Sequence, residues 1–392
     1  MNRNLRRSLI VGVLTIAVAA CSDDDGDTSN ETTAALATSP ATSETTTADA
    51  APVDLAAACP DPLVIQTDWF PEAEHGALYE LVGEGYEVDT DQKVVRGPLV
   101  ASGQDTGIQI ELRTGGPAIG FQPVSVLQYT DDGIHLGYAN TEGQIRRFAD
   151  TPVLSVVAPL EINPQMVFWD PETYPDVETL ADVGEQGITV NVQEGATYAT
   201  VLVAQGIWNA EQVDPSYDGT PARFVAEDGA IAQQGFASAE PYTYEHLEDW
   251  AQPVRYETLH DAGFEVYAQT LAIVPDRLEE LRPCLELFVP IVQQAAIDYI
   301  EAPERANATI IDVVEQYDDF WTYDEGLAQY SVDTQRQLGI VGNGPDDALG
   351  NMDEARVQRV IEQMRDAGLD VPEDLTVADL VTNEFVDPNI GL

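Results

Sequence analysis

From residue 63 onward the chain repeats one pattern, a short apolar run followed by a longer stretch whose apolar residues recur every three or four positions. The runs 63–65, 108–112 and 134–138 predict buried strands, and 76–82, the segment after Pro117 and 141–148 predict helices. Two apolar runs follow, 153–159 and 166–169, where a chain can cross from one lobe to another. A second set then alternates in the same way, with strands at 188–192, 231–238 and 254–259 and helices at 197–205 and 242–250. The run 266–274 reads as a return crossing, and beyond Asp276 nearly everything has helical spacing. Within 283–300, Leu285, Phe288, Val289, Val292, Ala295, Ala296 and Tyr299 define one buried helix face. Further helices are predicted at 303–320, 324–338 and 352–367.

Strands alternating with helices predict an α/β class with parallel pairing. The expectation is two α/β lobes with a hinge and a cleft: 59–155 as the first part of lobe 1, 156–268 as lobe 2, and 269–392 completing lobe 1 with C-terminal helices. Ligands of such sheets sit at the carboxyl ends of the strands, between the lobes.

The N-terminal segment has a different character. Arg3, Arg6 and Arg7 precede a short apolar stretch that closes on Val18-Ala19-Ala20-Cys21, the pattern of a secretory leader over residues 1–20. It resembles the lipobox of bacterial lipoproteins, which implies cleavage before Cys21, acylation of that residue and attachment to the outer face of the cell membrane. Residues 22–58 hold eight acidic residues, no basic ones and no aromatics. Such a segment buries too little apolar surface to offset its chain entropy, so 21–58 reads as a lipidated, disordered tether.

Charge narrows the partners. The 392 residues include 69 acidic and 17 basic ones, a formal charge of −52, and Lys93 is the only lysine. A chain this negative is repelled by phosphate backbones, which excludes nucleic acid as a partner. An acidic, lysine-poor surface is compatible with a saline habitat, where self-repulsion is screened. With Cys21 taken by lipid, Cys59 and Cys284 remain, and an oxidising compartment suggests one disulfide between them. Two separate buried thiols are the alternative, because sequence does not supply the separation a bridge requires.

Candidate chemistry gathers after the first strand, in Gln66-Thr67-Asp68-Trp69-Phe70-Pro71-Glu72-Ala73-Glu74-His75-Gly76-Ala77-Leu78-Tyr79. Trp69 can offer an indole face to a planar ring, Asp68 and His75 can bond amines or ring nitrogens, and Tyr79 lies one helical turn beyond His75. Packing of Trp69 between lobes and helix capping by His75 are the structural alternatives. After the next strand, Gly115 and Gly116 in Arg113-Thr114-Gly115-Gly116-Pro117 let backbone approach a ligand or simply make a tight turn. In the second lobe, Glu194 and Gly195 precede a helix whose first N–H groups are free, and Glu240 and Tyr242 hold the equivalent place after the following strand. Either glutamate can accept from an exocyclic amine or remain solvated.

The first of these motifs, with the lipobox and the weaker echo Thr382-Asn383-Glu384-Phe385, resembles the NMT1/THI5-like family of solute-binding proteins of ABC transporters over roughly residues 60–392. The resemblance implies a type II periplasmic binding fold, a small-molecule solute, permease subunits as partners and no cofactor. The form of the motif is closest to binders of thiamine-precursor pyrimidines. Riboflavin, sulfonate, nitrate and bicarbonate are the alternatives, and an anion would call on Arg113, with Arg146, Arg223 and Arg255 also open. The family's fungal members are pyrimidine-synthesising enzymes that use a pyridoxal phosphate-bearing lysine, and here only Lys93, in a polar stretch, is available. The sequence has no G-x-S-x-G and no H-E-x-x-H, and the expectation is a binder, not an enzyme.

Overall fold

The computed structural model describes residues 53–247 and 249–392. The leader, Cys21 and most of the expected tether lie outside them. Among the described residues there are twelve strands and eleven α-helices. The strands are β1 (Leu63–Gln66), β2 (Glu87–Asp89), β3 (Val94–Ala101), β4 (Gln104–Arg113), β5 (Leu136–Ala139), β6 (Leu154–Val157), β7 (Gln165–Trp169), β8 (Val190–Asn191), β9 (Val213–Asp214), β10 (Ala232–Phe236), β11 (Arg255–Thr258) and β12 (Thr270–Ile273). The helices are α1 (Gly76–Glu80), α2 (Val124–Thr130), α3 (Thr141–Arg147), α4 (Leu180–Glu185), α5 (Thr197–Ala204), α6 (Ala222–Ala226), α7 (Glu240–His246), α8 (Leu278–Glu301), α9 (Glu304–Tyr317), α10 (Glu325–Leu338) and α11 (Glu354–Asp366). No described helix is long and apolar enough to cross a membrane.

The strands form two sheets, one of order β2-β3-β4-β1-β5-β12-β6 and one of order β11-β7-β10-β8-β9. The expected parallel pairing is found for β4-β1-β5 and for β10-β8-β9, whereas the flanking strands are antiparallel, so both sheets are mixed. The hairpin β3–β4 escapes the sequence pattern because Arg96, Gly97 and Pro98 interrupt its apolar alternation. Its two-residue turn is Ser102-Gly103, both at positive φ, as the twist of a tight hairpin requires.

The chain passes between sheets twice. It leaves the first after β6 and enters the second at β7, then leaves the second after β11 and returns at β12, which pairs antiparallel with β6. Two α/β lobes, two crossings and a cleft are thus the architecture, the fold class expected from the sequence.

Helix α8 lines the first core through Leu285, Phe288, Val289, Val292 and Tyr299. Gly76 opens α1 directly against it, where a Cβ would lie 2.1 Å from the Tyr299 ring, so only glycine permits that approach. The helical segment after residue 269 does not complete the first lobe throughout. Helices α8, α9 and α10 contribute to the first core, whereas α11 adds Val357, Val360, Ile361 and Met364 to the second. The tether also ends earlier than residue 58: Leu55 is fully buried in the first core, and its N–H donates to the carbonyl of Thr106.

Cys59 and Cys284 form a disulfide with their Cα atoms 4.5 Å apart, tying this segment to α8.

Candidate functional site

Strand β1 lies between β4 and β5, so its carboxyl end opens at the centre of the first sheet. Buried Gln66 locks that end by donating from Nε2 to the carbonyls of Arg113 (2.9 Å) and Thr114 (3.1 Å). The chain then turns through Asp68 and Trp69. Gly115 donates its N–H to the carbonyl of Trp69 (3.0 Å), and a Cβ there would lie 2.3 Å from the carbonyl oxygen of Thr67. Gly116, at φ +58°, packs under the indole itself, where a Cβ would come within 2.6 Å of the ring. The glycine pair therefore seats Trp69 by close approach.

Asp68, Trp69, Gly116 and Tyr138 wall a cavity of about 390 Å³ between the lobes. Phe121 lines it also, 61% exposed, with its ring centroid 6.1 Å from that of Trp69. Trp321 meets the indole from another side at 6.1 Å, edge to face. From the second lobe come Gln193 and Thr197, and from α3 come Glu142, Arg146 and Arg147.

Behind Asp68, His75 is fully buried and its Nε2 lies 3.0 Å from Oδ1. Gln269, on the second crossing segment, donates from Nε2 to the same carboxyl at 3.2 Å. His75 and Gln269 thus fix the orientation of Asp68, whose side chain remains 38% exposed. The Tyr138 hydroxyl, the Gln269 Oε1 and the His75 Nδ1 are buried without a hydrogen-bond partner among the described residues. Tyr138 is the penultimate residue of β5, so the strand-end rule could have found it, and Gln269 is a polar residue inside the apolar run 266–274.

Acids from both lobes meet beside this group. Glu74 accepts from the Ser238 hydroxyl of the second lobe. Burial, with the nearby charges of Glu74, Asp68 and Glu240, holds the Glu72 carboxyl well above the usual range. Burial also raises Glu240, to about 7, against the Phe236 N–H that it accepts at 2.6 Å.

Several sequence-predicted residues have other roles. Tyr79 is in the first core, because α1 packs on α8 and α9 and turns that face inward. Glu194 and Gly195 are exposed on the turn before α5, and the Gly195 carbonyl accepts from Arg146. Glu240 fixes the turn after β10, and Tyr242 stacks on His246 at 4.0 Å; neither lines the cavity. The proposed anion ligand Arg113 is spent on Glu111 and Asp131. Arg223 pairs with Asp214, and Arg255 donates to the Val177 carbonyl at 2.9 Å. Lys93 donates to the Tyr317 carbonyl at 2.8 Å. Among the described residues no group of three or more His, Cys, Asp or Glu converges as a metal site.

This two-lobed arrangement is the fold of periplasmic solute-binding proteins. No family model and no curated protein matches the sequence. Among solved structures, the periplasmic aliphatic sulphonate binding protein SsuA from Escherichia coli is similar at 15% identity and a TM-score of 0.50, over 78% of this chain and 86% of that one. The periplasmic nitrate-binding protein NrtA from Synechocystis PCC 6803 is similar at 11% identity and a TM-score of 0.51, over 83% and 88%. The alkanesulfonate-binding protein SsuA from Xanthomonas axonopodis pv. citri, bound to MOPS, is similar at 14% identity and a TM-score of 0.50, over 83% and 99%.

Proposed function

We propose that this protein is the extracytoplasmic solute-binding subunit of an ABC importer, lipid-anchored through Cys21, and that it captures a small planar amine-bearing heterocycle such as a thiamine-precursor pyrimidine for delivery to membrane permease subunits. The observation that carries this reading is the pairing of Trp69 and Asp68 on one cavity wall. An indole face gives affinity to a flat ring without charge, by roughly 1–3 kcal/mol on the analogy of nucleobase stacking. An adjoining carboxyl accepts from an exocyclic amine. The two crossings supply a hinge, and contacts made by both lobes favour the closed form when solute is bound.

A second reading, an anionic solute, draws on Arg146 and Arg147 at the cavity and on the sulfonate and nitrate named for the structural neighbours. A thermal-shift screen of the full chain in detergent against aminopyrimidines, thiamine, riboflavin, sulfonates, nitrate and bicarbonate, repeated with Trp69→Ala, separates the two. Stabilisation by aminopyrimidines that Trp69→Ala abolishes is the expected result. Stabilisation by anions alone, or pyrimidine binding indifferent to Trp69, overturns it.

A further inference from the structure

The cavity has two chemically opposite ends, and the heterocycle reading accounts for only one of them. At the first end a carboxyl and a hydroxyl stand side by side. Asp68 has its orientation set from behind by His75 and Gln269, and the Tyr138 hydroxyl, 2% exposed and without a partner, lines the same wall. The half-exposed carboxyl can accept from a ligand N–H, and the buried Tyr138 hydroxyl, with nothing to donate to, calls for a ligand acceptor, because an unmatched buried polar group costs about 1–3 kcal/mol.

The second end is set by α3. Asn140 caps that helix with its side chain, and Arg146 lies six residues on, about 9 Å along the axis. Arg146 is not free to swing, since its Nη1 donates across the cleft to the Gly195 carbonyl (3.1 Å) and to Thr197 Oγ1 (3.2 Å). That leaves Nε and Nη2 as donors on a guanidinium already positioned by the second lobe. Arg147 adjoins it on the cavity rim, and α5 begins at Thr197, so unpaired helix N–H groups add to the positive field. Glu142 also lines the cavity, one turn before Arg146 on the same helix. Burial lifts its carboxyl to about 7 against the pull of Arg146, so below that pH its charge does not oppose an anion.

We infer that the solute is amphoteric: a flat ring whose amine donates to Asp68 and whose neighbouring ring nitrogen accepts from the Tyr138 hydroxyl, carrying an acidic group that meets Arg146 and Arg147. The inference rests on the heterocycle reading and adds the acid. It also explains how so negative a protein holds an acidic solute, because the ring's donors and the two guanidinium groups share one cavity.

Isothermal titration of the full chain in detergent at pH 6.5 tests it with three probes: 4-amino-2-methylpyrimidine, its 5-carboxylate and ethanesulfonate. The carboxylate should bind at least tenfold more tightly than either other probe. Asp68→Asn should lower affinity for both pyrimidines about tenfold and leave ethanesulfonate unchanged, and Tyr138→Phe should act in the same direction should the first variant fold poorly. Arg147→Ala and Arg146→Gln should each lower affinity for the carboxylate by a larger factor than for the parent pyrimidine. A parent pyrimidine that binds as tightly as its carboxylate overturns the inference while the heterocycle reading stands. Ethanesulfonate binding as tightly as the carboxylate, indifferent to Asp68, overturns both, as does binding of none of the three.

Discussion

Gln269 donates to Asp68 across a sequence separation of 201 residues, joining the second crossing segment to the wall of the cavity. The relationship places a hinge-proximal residue in direct contact with the carboxyl expected to meet solute, so the position of the crossing and the aim of Asp68 are not independent.

Gln269→Leu therefore should lower affinity for 4-amino-2-methylpyrimidine by about tenfold, since hydrogen bonds to charged groups are worth roughly 1.5–3 kcal/mol. Titration calorimetry on the variant, with circular dichroism to establish that it is folded, checks this. An unchanged dissociation constant would show that Asp68 holds its orientation without Gln269.

Arg356 of α11 joins the two crossings. It is 3% exposed, pairs with Glu161 on the first at 3.0 Å, donates to the Val266 carbonyl on the second at 3.1 Å, and stacks over Tyr267 with its guanidinium carbon 3.8 Å from the ring centroid. Arg356→Ala leaves Glu161 without its partner and should cost about 3–5 kcal/mol, the range for breaking a buried pair. Arg356→Lys should recover less than half of that, because a point charge reproduces neither the fork nor the stacking. Urea unfolding reads both values, and solution scattering should show a larger radius of gyration for the alanine variant.

Burial lifts both Glu142 and Glu240 to about 7 from an ordinary value of 4.5. Each keeps its proton in the folded state over a range where the unfolded chain has lost it. Their stabilising contribution is therefore complete below about pH 4.5, falls as the pH rises to about 7 and stays lost above. Glu142→Gln and Glu240→Gln should each flatten this limb and raise stability at pH 8 by about 1–3 kcal/mol, at roughly 1.4 kcal/mol per pH unit. Thermal melts from pH 4.5 to 8 in high salt, which screens the general repulsion of the acidic surface, read the limb, and each variant set against the parent separates its group from Glu161, which burial also lifts to about 7. Melting points of the variants that follow the parent protein at every pH would contradict the assignment.

The N-terminal segment is fastened twice, by Leu55 in the first core and by Cys59 on α8. In the chain-entropy model the disulfide, which spans 225 residues, contributes about 5 kcal/mol. Leu55→Ala should cost about 2–5 kcal/mol separately. Denaturant unfolding with and without reductant measures the first and the variant the second. Two titratable thiols in the unreduced, denatured protein would remove the disulfide from this account.

Much of the layout was legible because it rests on local periodicity. The stripe Leu285, Phe288, Val289, Val292 and Tyr299 is a helix face in any fold that buries it, and apolar runs bounded by Gly, Pro and Asp read as strands before any partner is known. The same reasoning brought Asp68, Trp69 and Gly116 forward, because a residue just beyond a parallel strand lies at the open edge of the sheet wherever that sheet sits. It failed for Tyr79. One helical turn from His75 was a sound prediction of shared direction, but which side of α1 faces the cleft depends on α8 and α9, more than 190 residues away.

Sequence alone determined most of the elements, the acidic charge and the strand ends at which binding chemistry could stand, since each depends on neighbours within a few residues; β2, β3, β9, α4 and α6 escaped it. Tertiary structure alone decided that α11 joins the second core, that Arg113 is consumed by Glu111 and Asp131 while Arg146 reaches Gly195, and that Gln269 meets Asp68. Apart from Glu111–Arg113, two residues apart on β4, these are pairings between segments distant in sequence, and their energies exist only once folding has brought the partners within a few ångströms, a distance that no local pattern of hydrophobic and polar residues encodes.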